Sequence, residues 1–177
     1  MPLPASITVP PPAEPAADAV FAMLTPEAAS GFPLGDLLGE PGPDDAPRLT
    51  RGGAALFSVE ERGAAAPVAR LAVRVANRPA APGYHGARSA GGVDGQRTVP
   101  VELRVGVTDS RGARDLAEDV LGAALSAVLG ERPVSASDAV RLLTPVRLLD
   151  GPSSPLFDDV AESWTAWAVV EVGVARA

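Results

Sequence analysis

Residues 99–107, VPVELRVGV, put Val99, Val101, Leu103, Val105 and Val107 at every second position, with Glu102 and Arg104 between them. Successive side chains of a strand point to opposite faces, so this run requires a sheet with one apolar and one polar face. Two further runs follow the same rule. VARLAVRVA (68–76) sets Leu71, Val73 and Val75 against Arg70 and Arg74. AESWTAWAVVEVGVA (161–175) sets Trp164, Ala166, Ala168, Val170, Val172 and Val174 against Thr165, Trp167, Val169 and Glu171. An apolar face of this extent needs a cover, and one segment has the right period to supply it. In SRGARDLAEDVLGAALSAVLG (110–130), Leu116, Val120, Ala124 and Ala127 form one stripe, widened by Ala117, Leu121, Leu125 and Val128. Asp109 or Ser110 is the expected N-cap, and Gly130 with Pro133 beyond is the expected stop. The alanines of the stripe predict close approach of this helix to the sheet.

Proline restricts the rest of the chain. Eleven of the 19 prolines lie in residues 1–47, which excludes a sheet or a long helix there. Residues 1–15 read as an extended arm, with Pro10, Pro11 and Pro12 favouring polyproline II. They lack the basic start and apolar run of a secretory leader. AADAVFAMLTPEAAS (16–30) is the one helical candidate in this region, ended or kinked at Pro26, and 31–53 read as Gly/Pro/Asp-rich loop. Further on, ALFSVEE (55–61) is a short strand candidate, and VRLLTPVRLLD (140–150) is an edge or bulged strand because it contains Pro145. Residues 150–159 have turn composition. Between the two best strands, residues 76–98 hold five glycines, two prolines and almost no aliphatic bulk, which predicts a long arginine-bearing hairpin loop. The expected fold is α+β: an antiparallel or mixed sheet of about four to five strands with one main helix on a face. A short N-terminal helix and a Pro-rich arm precede it, giving an arm over 1–53 and a core domain over 54–177.

Charge alternates along the chain. The net −7 divides into −7 for residues 1–47, +6 for 48–114 and −6 for 115–177. An acidic majority repels phosphate and argues against general nucleic-acid binding, with the basic middle block as a local exception. No cysteine and no lysine occur, so disulfides, thiolate zinc sites, a P-loop and Schiff-base chemistry are excluded. No apolar run reaches the ~20 residues of a membrane span.

Catalytic signatures are sparse, and the expectation is a non-enzyme with no cofactor and no metal. The single histidine, His85, sits in Pro-Gly-Tyr-His-Gly (82–86) with no identifiable orienting partner, so a solvated loop residue outweighs a general base. The carboxylates Asp150, Asp158 and Asp159 suit a solvated turn better than a metal or acid/base site; a hydrolase using His85 with Asp150 and Asp158 is the weaker alternative. What remains is surface. Arg78, Arg88 and Arg97 of the long loop, Arg111, Arg114, Glu118 and Asp119 of the helix, and Asp158 and Asp159 of the C-terminal turn are the candidate subunit or partner contacts. Trp164 and Trp167, pointing to opposite faces, are expected to pack against sheet and helix, with one of them available to a subunit contact.

The strand VPVELRVGVTD (99–109), the helix reading Ala113-Arg114-Asp115-Leu116-Ala117-Glu118-Asp119-Val120 and then Ala124-Leu125, and the closing strands RLLTPVRLLD and SWTAWAVVEVGV form a pattern. It resembles the tail-terminator, or tail-completion, proteins of long-tailed bacteriophages. The resemblance covers 54–177 well and 16–30 loosely; residues 1–15 and 31–53 and the length of the 76–98 loop depart from it. It implies a structural virion protein assembled in the host cytoplasm. Such proteins form a ring, typically hexameric, that ends the tail tube and meets the head–tail connector, with DNA passing only through the lumen. A neck adaptor or a tube-related component of a phage or contractile injection machine shares such a core. A different class, a small anion- or peptide-binding α+β module, is the remaining alternative. The +6 and −6 blocks offer a ring two complementary surfaces.

Overall fold

The computed structural model describes residues 11–53, 57–77 and 96–177. Four helices are present among them: α1 (Glu14–Met23), α2 (Leu34–Leu38), α3 (Val59–Arg62) and α4 (Ala113–Val128). Seven strands accompany them: β1 (Leu49–Arg51), β2 (Ala69–Val75), β3 (Gln96–Thr108), β4 (Val140–Leu142), β5 (Arg147–Asp150), β6 (Leu156–Asp158) and β7 (Ser163–Arg176). They form one mixed sheet in the order β1-β2-β3-β7-β4, with β5 and β6 also on β7. Only the β1–β2 pair is parallel; all others are antiparallel. The fold is α+β, as expected.

The alternating runs set the register. Leu71 opposes Val105 and Val105 opposes Ala166; Val73 opposes Leu103 and Leu103 opposes Ala168. These residues are buried on one face and share a core with Ala117, Val120, Leu121, Ala124 and Val128 of α4. The alanine-rich stripe does bring α4 onto β3 and β7. Its start differs from the expected cap. Gly112, at φ +84°, is the N-cap and no side chain caps the helix. Asp109 is engaged elsewhere, because its Oδ1 accepts from Trp164 Nε1 at 3.1 Å. The helix ends as expected, with Gly130 in the left-handed region.

Strand number is the main departure from about four to five. Strand β7 has 14 residues and β3 lines one of its edges throughout. At ~3.3 Å per residue, no segment interrupted by prolines can line the other edge in one piece. Three short strands tile it instead: β4 opposite Leu142↔Val174, β5 opposite Arg147↔Glu171 and β6 opposite Leu156↔Thr165. Pro145 separates β4 from β5, as the edge-strand expectation anticipated, and the 151–155 turn separates β5 from β6. Strand β6 therefore lies within the stretch expected to be turn alone.

The N-terminal region also differs from an appended arm. Ala16, Ala17 and Val20 of α1, together with Leu24, Leu34 and Leu38, belong to the same core as the sheet. Within the expected 31–53 loop, α2 forms over Leu34–Leu38 and β1 pairs with β2. The described part of 1–53 is thus built into the domain. Arg51 reinforces this, its Nε donating to Asp18 at 2.8 Å and its Nη2 pairing with Glu14. The 55–61 run is not a strand over its described residues. Ser58 accepts from the Glu61 N–H while Glu61 accepts from the Ser58 N–H, a capping box that starts α3.

Candidate functional site

The side chains of β2, β3 and β7 that point away from the core build the opposite face. Arg70, Gly106 and Thr165 share one row across it, Ala72, Arg104 and Trp167 the next, and Arg74, Glu102 and Val169 the third. Three arginines thus project from two neighbouring strands, and two carboxylates answer them. Glu61 of α3 accepts from Arg70 Nη2 at 2.7 Å on both oxygens and from Arg48 Nη1 at 2.8 Å. Arg70 and Glu61 are 2% and 4% exposed, so this cluster is internal. Arg48 also approaches Asp45 at 3.5 Å, and the Phe57 ring lies 4.8 Å from the Arg70 guanidinium carbon.

The second carboxylate, Glu102, is shared by two guanidiniums. Arg74 Nη2 donates to its oxygens at 3.0 and 3.3 Å, and Arg104 Nε lies 3.2 Å from Oε1. Both arginine side chains are close to half exposed, at 43% and 47%. Small residues beside them leave a hollow. Gly106 and Ala72 floor it, Phe57, Arg70, Arg74 and Arg104 wall it, and Ser163, Thr165 and Asp158 close its far end, enclosing about 300 Å³. Asp158 Oδ1 accepts from the Val160 and Ala161 N–H groups at 2.9 and 3.1 Å, which ties the β6–β7 turn.

A different kind of surface lies along the β5–β6 edge. Leu148, Leu149, Leu156, Phe157 and Val160 are exposed, Leu156 by 67% and Val160 by 97%. Phe157 meets Trp164 edge-on with ring centroids 5.6 Å apart. At the tip, Asp159 and Glu162 flank a shallow hollow with Phe157, Asp109 and Arg62, and Arg62 pairs with Glu162 at 2.6 Å.

The structure distributes the expected contact residues over separate places. Arg78 and Arg88 lie outside the described residues, as do His85 and most of the 76–98 loop. Arg97, expected in that loop, is in β3 opposite Val174, half-buried on the core side, with its Nε enclosed. Arg111, Arg114, Glu118 and Asp119 are exposed around the start and outer side of α4. Asp158 is half-buried in its turn and Asp159 exposed. Thr108 opposite Ser163 brings the β3–α4 and β6–β7 turns to one end of the sheet, so Arg111 and Asp159 share that end. The two tryptophans do take opposite faces: Trp164 is a half-buried neighbour of the core, and Trp167 lies beside Arg104 on the polar face.

Among the described residues no group of three or more His, Asp or Glu side chains is arranged to hold a metal ion. No helix among them is long and apolar enough to cross a membrane. Sequence reasoning missed the Arg74–Glu102–Arg104 and Arg48–Glu61–Arg70 clusters. The first needed only the antiparallel register of 69–75 against 101–107, which makes Arg74 and Glu102 direct partners. The second was signalled by the Ser-x-x-Glu spacing at 58–61. No protein-family model matches the chain, and no curated protein matches it either.

Proposed function

We propose that this protein is a self-assembling structural subunit, and specifically a tail-terminator protein whose ring ends a phage tail tube and presents a surface to the head–tail connector. The observation that supports assembly is the β5–β6 edge. Five of the eight large apolar side chains exposed among the described residues fall between 148 and 160, on the short strands along one edge of β7 and the turn that follows them. A concentration of exposed large apolar side chains along one sheet edge is the kind of surface that another protein covers. The flanking Asp159 and Glu162 would set register against an arginine-bearing neighbour more than they would add affinity. Ring closure requires two different complementary surfaces per subunit, and the exposed charged outer side of α4 supplies a second one. The tail-tube and connector partners, the hexameric count and the place in the virion rest on the family resemblance of the sequence.

The reading is tested by electron microscopy and sedimentation velocity of the purified chain, followed by co-sedimentation with tail tubes and with connectors. Rings that bind tube ends support a terminator; rings that bind connectors alone support a neck adaptor. Leu156→Asp and Val160→Asp, both at highly exposed positions, are expected to leave the far-UV spectrum unchanged and to disperse the rings. A wild-type chain that stays monomeric at its solubility limit would overturn the proposal.

A further inference from the structure

We propose that the hollow on the polar face is a binding site for a small molecule with an oxyanion head, a phosphate or carboxylate, held by Arg74 and Arg104. The charge balance there is uneven. Among the described residues two guanidiniums share the single Glu102 carboxylate, which leaves one positive charge in excess at that end. Arg104 contacts Glu102 through Nε, and among the described residues no carboxylate meets its four terminal N–H groups. A planar fork of this kind matches the spacing of two oxygens on a phosphate or carboxylate. The exposure of both side chains, near one half, keeps the donors reachable and lowers the cost of stripping water from them.

The rest of the hollow gives the ligand a body and a direction. From Arg104 to Gly106 is two residues, or about 7 Å along β3. Over that distance the floor is Ala72 and Gly106, and Phe57 forms an apolar wall. A Cβ on Gly106 would stand 3.6 Å from the Phe57 ring, an ordinary contact, so the ring lies close over the glycine and bounds the hollow there. The far end bears the hydroxyls of Ser163 and Thr165. Ser163 is 2% exposed, and none of the hydrogen bonds among the described residues uses its hydroxyl. Asp158 places negative charge at this same end. An anion therefore seats its head at Arg74 and Arg104 and lays a neutral body along Ala72 and the Phe57 ring toward Ser163; the reverse orientation sets like charges against each other. Glu102 is a positioning residue that spreads the two arginines and competes with the ligand for them. The hollow adjoins the β5–β6 edge at Asp158, but its anion-holding arginines lie on β2 and β3, so the proposal does not rest on the assembly reading.

The test is calorimetric titration of the full chain with inorganic phosphate and with phenyl phosphate, against chloride at matched ionic strength. Phenyl phosphate is expected to bind saturably at one per chain and more tightly than inorganic phosphate. Arg104→Gln and Arg74→Gln, on half-exposed side chains, should each weaken binding by about tenfold with unchanged circular dichroism. Glu102→Gln should strengthen it, an effect of opposite sign that no loss of folding can imitate. Sedimentation with and without phenyl phosphate separates two sources of the natural oxyanion. An unchanged sedimentation coefficient points to a free small molecule, and dissociation of an oligomer points to an acidic group of a neighbouring chain. Absence of saturable binding beyond the chloride control, or binding indifferent to both arginine variants and to Glu102→Gln, would overturn the proposal.

Discussion

Glu61 is the residue whose removal should do most damage for its size. Its side chain is 3% exposed and its two oxygens take Arg70, Arg48 and the Ser58 N–H. In Glu61→Ala the Arg70 guanidinium, 2% exposed, keeps its charge and loses its carboxylate; Arg48 retains Asp45 at 3.5 Å. Removing one member of a buried ion pair costs about 3–5 kcal/mol, because the partner's desolvation is no longer compensated. Only the Glu61 side-chain half of the capping box is lost as well, since the Glu61 N–H still donates to Ser58, so the total stays at about 4 kcal/mol. That is a large share of the ~5–15 kcal/mol available to a domain. With an m-value near ~2 kcal/mol/M in urea, the midpoint should fall by about 2 M, read from the fluorescence of Trp164 and Trp167. Glu61→Gln keeps an acceptor and the cap and should lose roughly half as much. The double variant Glu61→Leu, Arg70→Met removes both buried charges and should be milder than Glu61→Ala alone. A midpoint shift under about 0.5 M for Glu61→Ala, or one abolished by added salt, would refute the reasoning, since it would mean the cluster is solvated like a surface pair.

Other expectations follow from backbone and packing. Gly151 sits at φ +89°, with space for a Cβ only 3.0 Å from the Trp167 carbonyl oxygen, so Gly151→Ala should lower stability by about 1–3 kcal/mol in urea unfolding. Gly112→Ala, also in the left-handed region but facing open space, should cost about 1–2 kcal/mol by the same measurement. Leu103→Ala empties a fully buried position between Val73 and Ala168 and should cost about 2–5 kcal/mol. Arg51→Ala releases the Asp18 and Glu14 contacts, whose acidic partners are well exposed. It should change global stability little, while hydrogen exchange in α1 becomes faster.

The three alternating runs and the alanine-striped helix were legible because each carries a full periodic face, and their register followed from burying those faces together. The failures share a cause. Leu49–Arg51, Leu34–Leu38 and Leu156–Asp158 are three to five residues long, too short to display a period, and they form because a neighbour is waiting for them. Strand β1 exists because β2 has a free edge, and β6 because β7 extends past β5. Proline density likewise overstated the independence of the N-terminal region. Pro15 falls in the first turn of α1, where a missing N–H costs nothing, so the helix can present Ala16, Ala17 and Val20 to the sheet. At the candidate site, residue types were readable but not their company. Arg74, Glu102 and Arg104 were seen as the wet side of two strands, and only the register makes them one cluster with an unshared charge.

The tiling of β7 has a consequence for how this chain comes off the ribosome. Strands β4, β5 and β6 pair with β7 alone, and β7 is the last described element to be made. Each of the three is therefore synthesised before the strand that gives it a place. The sheet cannot be completed before β7 is made, because β7 alone pairs with β3 on one edge and with all three short strands on the other. Folding of this kind depends on contacts far apart in sequence and is slow. Until β7 is made, the β3 edge is open to any other strand that reaches it, so that interval carries the chain's greatest risk of mispairing.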